Sequence, residues 1–254
     1  MASVWDAVTG HPHAVEILRR SAEHPVHAYF FLGSGGDGKE TVARAFAARL
    51  LSGSDDASER TNELVMRGVH PDVHEVRRSR ASILVAEADD VIVKASTTGV
   101  EGQRKVIIMH EVNLMSPAAV VRLLKTVEEP ADGVFLILLA DAMVDLLVTL
   151  ASRSLTVHFG ALNENDIRDA LLRAGIDQER AATAARSAHG SLERAQLLAT
   201  DTQLVHRRER FANVPRRIDG TGATVAAIVD ELLGLIDNAR SEEHTSELQS
   251  PDHL

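Results

Sequence analysis

The sequence contains no cysteine and very few aromatic residues. Among its 254 residues there is no Cys, and Phe, Trp and Tyr together make up 3%. The first absence excludes disulfides and thiolate metal sites. The second requires a core of Ala, Val, Leu and Ile, because apolar residues still reach 44%. Such a core favours helices packed on a parallel sheet over an aromatic-rich β-sandwich.

An excess of basic charge and long apolar runs are also missing. The formal net charge is -10, which argues against a chain that holds nucleic acid on its own, because phosphate binding needs a basic surface. Mild acidity also simply aids solubility. No apolar run approaches the roughly 18 residues of a membrane helix, and the N-terminus lacks a signal-peptide pattern. We therefore expect a soluble cytoplasmic protein with no membrane partner.

Strand-like and helix-like segments alternate over the first 160 residues. The apolar, strand-like runs are 28–32, 73–76, 105–109 and 134–139. The helix-like segments are 12–22, 39–51, 85–94 and 117–129, the last capped by Ser116 and followed by Pro130. Because strands and helices alternate, the sequence predicts a parallel α/β sheet domain over residues 1–160.

The pattern becomes entirely helical after Phe159. Three short helical stretches, at 163–174, 177–189 and 191–200, predict a small helical domain over residues 161–200. Residues 201–239 are predicted to be helical again, with breaks near Pro215 and at 220–222, where proline and glycine interrupt the pattern.

The last 15 residues differ in character from the rest. Residues 240–250 read RSEEHTSELQS, and one DNA string that encodes them resembles a common sequencing-library adapter. We therefore expect residues 240–254 to be an assembly artefact, with a genuine tail as the alternative. On this hypothesis, residues 201–239 are a truncated helical domain.

A glycine-rich segment, GSGGDGK at 33–39, matches the phosphate-loop pattern G-x-x-x-x-G-K. Its glycines are Gly33, Gly35, Gly36 and Gly38. Glycine lets backbone N–H groups turn inward around phosphate oxygens, and the following helix directs its positive end at the same place. Lys39 would reach the terminal phosphates. The strand before and the helix after this segment favour a nucleotide loop over a plain glycine turn.

Two departures from the nucleotide motifs affect the magnesium site. A Ser or Thr hydroxyl normally follows the lysine and holds Mg²⁺, but here Glu40 follows Lys39 and Thr41 lies one position late. The third predicted strand ends in His110 and Glu111, where the second nucleotide motif has Asp-Glu. A neutral imidazole does not replace a carboxylate on a hard cation. We predict no bound metal and at most weak binding of ATP or ADP.

Several segments resemble motifs of the AAA+ subunits of the bacterial DNA polymerase III clamp loader. LLKTVEEP at 123–130 resembles the LLKTLEEP motif of that family, and ASRS at 151–154 resembles its SRC motif, with Ser154 in place of Cys. The other matching segments are WDAVTG at 5–10, HPD at 70–72 and GSLERA at 190–195. The resemblance covers residues 1–200 well and 201–239 weakly.

This resemblance implies a fold and two functional arginines. It implies an α/β P-loop NTPase domain of the AAA+ type, then a helical lid domain at 161–200 and a helical collar domain. Arg153 would be an arginine finger that reaches the ATP site of a neighbouring gamma/tau subunit, unless it pairs with a local carboxylate. Arg194 would either contact bound nucleotide or tie the two domains together.

The altered motifs favour one branch of that family. Gamma/tau subunits keep an intact metal site and hydrolyse ATP, whereas the delta-prime branch lacks the site and acts as a rigid stator. Glu40 and His110 favour the delta-prime branch, as does the strand end at 139–141, which we interpret as lacking the polar residue that senses the γ-phosphate.

The expected function follows from that branch. We expect a subunit with little or no ATPase of its own, which binds gamma/tau and delta, acts on the sliding clamp indirectly and meets DNA only within the complex. The alternatives are an active gamma/tau-like ATPase and a standalone DNA-binding module.

The zinc site typical of these subunits is also altered. The family usually carries four Cys between the phosphate-loop helix and the HPD motif. The corresponding positions here are Ser52, Asp56, Glu59 and Asn62. None is a thiolate, and tetrahedral zinc prefers sulfur and imidazole. We therefore predict no zinc, and a polar loop or small helical insertion at 52–62.

Overall fold

The chain forms two compact units, Met1–Gln196 and Leu197–Leu254. The computed structural model describes residues 2–79, 81–200, 211, 213–218 and 222–234. The first unit holds the sheet and the candidate site. In the second unit, residues 213–217 and 222–234 are helical, and an ion pair of 2.6 Å joins Arg217 to Glu231.

The predicted break near Pro215 is wrong, because residues 213–217 are continuously helical. The fixed φ of proline is compatible with a helix even though its ring removes one hydrogen-bond donor. Part of the second predicted break, at 220–222, and the whole segment 240–254 lie outside the described residues. The predicted division into domains at 160, 200 and 239 stays a prediction.

The first unit is built on a five-stranded parallel sheet. The strands are β1 (Ala28–Leu32), β2 (Val73–Val76), β3 (Lys105–Met109), β4 (Val134–Ala140) and β5 (Leu155–His158). Their spatial order is β2-β3-β4-β1-β5, and every neighbouring pair is parallel. The four predicted strands are confirmed. Strand β5 was not predicted, because an edge strand with one buried residue, Val157, has no apolar run.

Nine α-helices are found among the described residues from 2 to 200. They are α1 (Pro12–Ser21), α2 (Lys39–Ser52), α3 (Arg60–Met66), α4 (Val85–Ala95), α5 (Pro117–Glu128), α6 (Val148–Ala151), α7 (Glu164–Arg173), α8 (Gln178–Ser187) and α9 (Leu192–Thr200). The seven helices predicted before residue 201 are confirmed, and of the segment predicted to be helical at 201–239 only 211, 213–218 and 222–234 lie within the described residues. Helix α3 was predicted only as one of two alternatives, since it buries only Asn62 and Val65, and α6, with four residues, was not predicted.

Alternate residues of the strands belong to two apolar clusters on opposite faces of the sheet. Tyr29 and Phe31 of β1 pack with Phe46 of α2, whereas Phe30 packs with Leu123 of α5. Strands β3 and β4 are buried along their whole length. This is the pattern expected of a parallel sheet covered by helices on both sides.

The carboxyl ends of three central strands meet at one edge of the sheet. Leu32 of β1 is in register with Ala140 of β4, so Gly33 and Asp141 leave the sheet side by side. The N–H of His110, which follows β3, donates to the carbonyl of Val76 at 2.9 Å. Ligands of open parallel sheets bind at this edge, where strand order reverses. The fold therefore places the phosphate loop and the residues after β3 and β4 together.

The segment that corresponds to the zinc module is held by hydrogen bonds of a buried amide. Asn62 is 0% exposed. Its Nδ2 donates to the carbonyl of Ser54 at 3.1 Å and to the carbonyl of Asp56 at 2.8 Å. Glu59 begins α3 as its N-terminal cap residue, and Ser52 ends α2. The segment is a loop at 53–59, and from Arg60 it is helical, so both alternatives predicted for 52–62, a polar loop and a small helical insertion, occur in part.

We expect Asn62→Ala to lower the free energy of unfolding by about 1–3 kcal/mol, because it leaves two carbonyl groups without their buried donor. Urea unfolding followed by circular dichroism measures the loss. Thr61→Ala, at the neighbouring position of the same helix, is the matched control. An equal loss in both variants would mean that the Asn62 amide does not hold the segment together.

Candidate nucleotide-binding site

The phosphate loop has a backbone that requires glycine at two positions. Gly36 and Gly38 have φ values of 76° and 91°, in the left-handed region. A Cβ on Gly36 would lie 2.3 Å from the Oγ of Ser191. The carbonyl of Gly36 accepts the N–H of Leu192 at 2.8 Å, so the loop is tied to the beginning of α9.

A cavity of about 560 Å³ opens over this loop. Predicted residues that line it are Gly35, Gly36, Gly38, Lys39, Glu40, Thr41, His110 and Glu111. Gly33 lies behind the loop, where its N–H donates to the carbonyl of Ala140 at 3.1 Å. Arg194 is exposed, and Glu193 and Gln196 of the same helix line the cavity instead. The roles assigned to these residues stay predictions.

Lys39 is engaged by carboxylates of its own chain. It is 5% exposed, and its Nζ donates to Oδ1 of Asp141 at 2.7 Å and to the carbonyl of Ser34 at 3.2 Å. Oδ1 of Asp37 lies 3.7 Å away. The interpretation that the strand end at 139–141 lacks a functional polar residue is therefore incomplete, because Asp141 is the main partner of the phosphate-loop lysine.

Asp37 supports the loop from beneath. Its Oδ1 accepts the N–H of Lys39 at 2.9 Å, and its carbonyl lies 2.7 Å from Nε2 of His11. Among the described residues, Oδ2 of Asp37 is one of three buried side-chain atoms without a hydrogen-bond partner. Burial raises the pKa of this carboxyl, against the lowering effect of the Lys39 N–H and charge. The sequence motif gave no indication of this buried acid.

His110 lies between two glutamates at the place where the second nucleotide motif has its metal-binding aspartate. It is 2% exposed. Its Nε2 is 3.1 Å from Oε2 of Glu75, and its Nδ1 is 3.5 Å from Oε1 of Glu40. Arg77 donates to Oε2 of Glu40 at 2.7 Å, and Arg44 donates from Nη2 to Oε2 of Glu75 at 2.9 Å. We call these five residues the His110 cluster.

The charges of the His110 cluster stabilise one another. The neighbouring His110 and the hydrogen bond from Arg77 lower the pKa of Glu40 to about 2 against burial. His110 and Arg44 hold the pKa of Glu75 far below its ordinary value despite its burial. Burial opposes the charged form of His110, but the two glutamates outweigh it and raise its pKa. The position after β3 is thus an internal ion-pair cluster.

Glu111, at the position of the residue that would activate water, is also paired. Its Oε2 accepts a hydrogen bond from Nε of Arg78 at 2.8 Å. Its backbone has φ 51°, an unusual value for a residue other than glycine. The Arg78 bond thus occupies a carboxylate oxygen at the position that would orient an attacking water.

The residues at this position do not fit Mg²⁺. The ion needs oxygen ligands in a near-octahedral arrangement. Here His110 offers nitrogen where the ion needs oxygen, and Glu40 is bonded to Arg77. Two guanidinium groups, of Arg44 and Arg77, supply the positive charge that a metal would supply.

The predicted arginine finger lies apart from the cavity, in the turn between α6 and β5. Nε of Arg153 donates to Oε1 of Glu128, the last residue of α5, and its Nη1 donates to the carbonyl of Thr149 at 2.9 Å. The two charged side chains are 38% and 45% exposed. The alternative of pairing with a local carboxylate is therefore the arrangement observed in the isolated chain.

A family model described as "DNA polymerase III, delta subunit" matches residues 10–163, which include the phosphate loop, the His110 cluster and Arg153. The chain belongs to the DNA polymerase III delta subunit family.

Relatives agree with this membership. The chain is 29% identical over 208 residues to subunit delta' of Bacillus subtilis, an alignment that covers 79% of this chain and 63% of that protein. It is 27% identical over 244 residues to subunit tau/gamma of Haemophilus influenzae, covering 91% of this chain and 33% of that protein. The chain thus spans less than two thirds of either relative.

A solved structure supports the fold. A gamma subunit-related protein of DNA polymerase III from Thermotoga maritima superposes with a TM-score of 0.52 at 16% identity, covering 89% of this chain and 77% of that one. This likeness supports the α/β fold of the domain with its five-stranded parallel sheet. Among the described residues, no helix is long and apolar enough to cross a membrane.

Sequence reasoning on this delta-subunit family member missed the charges that surround the motifs. Glu75 lies in the short strand β2 and Arg77 follows that strand. Arg44 lies one helical turn after Glu40, and Asp141 follows β4. The available indication was topological: polar residues just after parallel strands share one edge of the sheet. Their pairing required the side-chain geometry.

Proposed function

We propose that this chain is a subunit of the DNA polymerase III clamp loader that does not hydrolyse ATP itself. In this proposal it binds gamma/tau and delta subunits and presents Arg153 to the nucleotide site of a gamma/tau neighbour. It acts on the sliding clamp indirectly. The net charge of -10 supports contact with DNA only within the complex, since isolated DNA binding needs a basic surface.

One observation carries the proposal. The charged side chains at three positions of the nucleotide motifs are each bound by a side chain of opposite charge. Lys39 is held by Asp141 at 2.7 Å, Glu40 by Arg77 at 2.7 Å, and Glu111 by Arg78 at 2.8 Å. Phosphoryl transfer depends on a lysine and a metal that neutralise developing charge. An active site whose charges already neutralise each other lacks that capacity.

We expect the purified chain to hydrolyse ATP no faster than its Lys39→Ala variant, with or without Mg²⁺. The reason is that the lysine and both motif carboxylates already have internal partners. A coupled phosphate-release assay measures both rates. An ATPase rate ordinary for AAA+ proteins that disappears in Lys39→Ala would contradict the proposal and favour the gamma/tau-like alternative.

Assembly is tested separately. Size-exclusion chromatography of this chain with a gamma/tau and a delta subunit should give a common peak, because the proposed role requires a stable complex. Failure of residues 1–254 to co-elute would contradict the assembly role of this chain. Salt-sensitive binding of duplex DNA by the isolated chain would favour a DNA-binding module instead.

A further inference from the structure

The contact between Lys39 and Asp141 is built into the sheet. Leu32 and Ala140 are in register on the adjacent strands β1 and β4, and the N–H of Gly33 donates to the carbonyl of Ala140. Asp141 is the next residue along β4, and its own N–H donates to Oδ1 of Asn113 at 2.9 Å. Backbone bonds on both sides therefore fix Asp141 opposite the phosphate loop.

The position that Asp141 occupies is that of an anion. The Nζ of Lys39, 6% exposed in its side chain, has Oδ1 of Asp141 at 2.7 Å and the carbonyl of Ser34 at 3.2 Å. A phosphate-loop lysine serves to bind the terminal phosphates of a nucleotide. The carboxylate of Asp141, 41% exposed, meets the lysine at the cavity. A nucleotide phosphate would have to displace it.

The other charged side chains that line the cavity also oppose the binding of a phosphate. Five carboxylate side chains line the cavity, those of Asp37, Glu40, Glu111, Asp141 and Glu193, against the two permanently basic side chains of Lys39 and Arg77. Arg77 is bonded to Glu40. Like charges placed together in a partly enclosed site disfavour binding, and the effect grows with the charge of the ligand.

We propose that Asp141 takes the place of a nucleotide phosphate at Lys39 and determines whether this cavity accepts a nucleoside polyphosphate. Asp141 is then an internal counterion, and the glycine loop stays folded without ligand. The cavity discriminates by charge, since a nucleoside monophosphate competes with less repulsion than a triphosphate. This inference concerns binding alone and does not depend on assembly with other subunits.

The test is nucleotide binding by the full chain and by its variants Asp141→Asn and Asp141→Ser. Binding of N-methylanthraniloyl ATP, ADP and AMP is measured by fluorescence anisotropy. Mg²⁺ is left out, so that the phosphate charge of the nucleotide is not neutralised by the metal. Because Asp141 is partly exposed and its N–H bond uses the backbone, both variants should fold, which thermal melting verifies. We expect affinity for ATP to rise at least about tenfold, and affinity for AMP to rise less.

Two further variants identify the cause. Asp145→Asn removes an exposed carboxylate beyond the same strand and should leave affinity unchanged. Adding Lys39→Ala to Asp141→Ser should abolish the gain, because the freed lysine is what binds phosphate. ATP affinity changed less than twofold in both Asp141 variants, or a gain that survives Lys39→Ala, would overturn the proposal. Binding without hydrolysis would support it while leaving the proposed lack of ATPase intact.

Discussion

Replacing Arg153 by alanine is expected to slow ATP hydrolysis at the adjacent gamma/tau site by about 10³-fold or more, the effect typical of removing an arginine finger. A guanidinium stabilises the charge that develops on the transferred phosphoryl group. The measurement is ATP turnover by the reconstituted complex in which the phosphate-loop lysines of the other ATP sites are replaced, so that only the site facing Arg153 contributes.

The local ion pair of Arg153 does not prevent this role. Its side chain and that of Glu128 are 38% and 45% exposed, and exposed ion pairs contribute about 0–1 kcal/mol. An arginine finger bound to the transferred phosphoryl group stabilises the transition state by several times that free energy. The guanidinium can therefore exchange Glu128 for a neighbour's nucleotide at small cost, while Thr149 can still accept from Nη1.

Two variants control the Arg153 experiment. Arg153→Lys should restore little activity, because an ammonium group lacks the planar fork of guanidinium. Arg168→Ala removes an exposed arginine that pairs with Asp169 on α7 and should leave turnover unchanged. Normal turnover by an Arg153→Ala complex that assembles fully would refute the finger.

The fold could be read from the sequence wherever burial leaves a pattern. Strands β3 and β4 are buried on both faces and appear as continuous apolar runs. Strand β5 escaped prediction, and helix α3 remained one of two alternatives, because each buries few residues. The buried side chain of Asn62 in α3 is polar, so no apolar periodicity reveals its burial.

The parts of the site that consist of sequence motifs could be predicted. The parts that depend on pairing between residues distant in sequence could not. The glycine spacing located the phosphate loop, and the residues at 40 and 110 indicated an altered metal position. The partners of His110 lie 35 and 70 residues away in the sequence, Glu75 on β2 and Glu40 on α2, and only the tertiary fold brings them together. The role of Asp141 was overlooked for the same reason, because Asp141 follows β4 whereas its partner Lys39 begins α2, after β1.

The second large effect concerns the His110 cluster. We expect Glu75→Gln to lower the free energy of unfolding on the order of 3 kcal/mol, because it leaves Arg44 and His110 without their shared carboxylate. The value is at the low end for buried pairs, since the side chain of Arg44 is 34% exposed. Chemical denaturation measures it. Glu63→Gln, which removes an exposed partner of Arg67, should change stability by less than about 1 kcal/mol.

The same cluster predicts a pH dependence with a definite sign. The pKa of His110 is raised above its ordinary 6.5, so its stabilising contribution is complete below that pH and is lost as the pH rises through the folded-state value. The pKa of Glu40 is lowered from 4.5 to about 2, so its contribution is present above pH 4.5 and is lost as the pH falls toward 2. The contribution of the cluster is therefore largest between these two ordinary values.

His110→Gln separates this contribution from the rest of the chain. The variant keeps a polar side chain but does not titrate, so the difference in unfolding free energy between the unmodified chain and the variant should shrink as the pH rises above 6.5. The lowered pKa of His74 acts in the opposite direction, but it is present in both proteins and cancels in the difference. A difference that stays constant from pH 5 to pH 9 would mean that His110 is not charged between Glu40 and Glu75. If the difference instead falls with pH, His110 is a cation between the two glutamates, and we expect Mg²⁺ to leave the melting temperature unchanged.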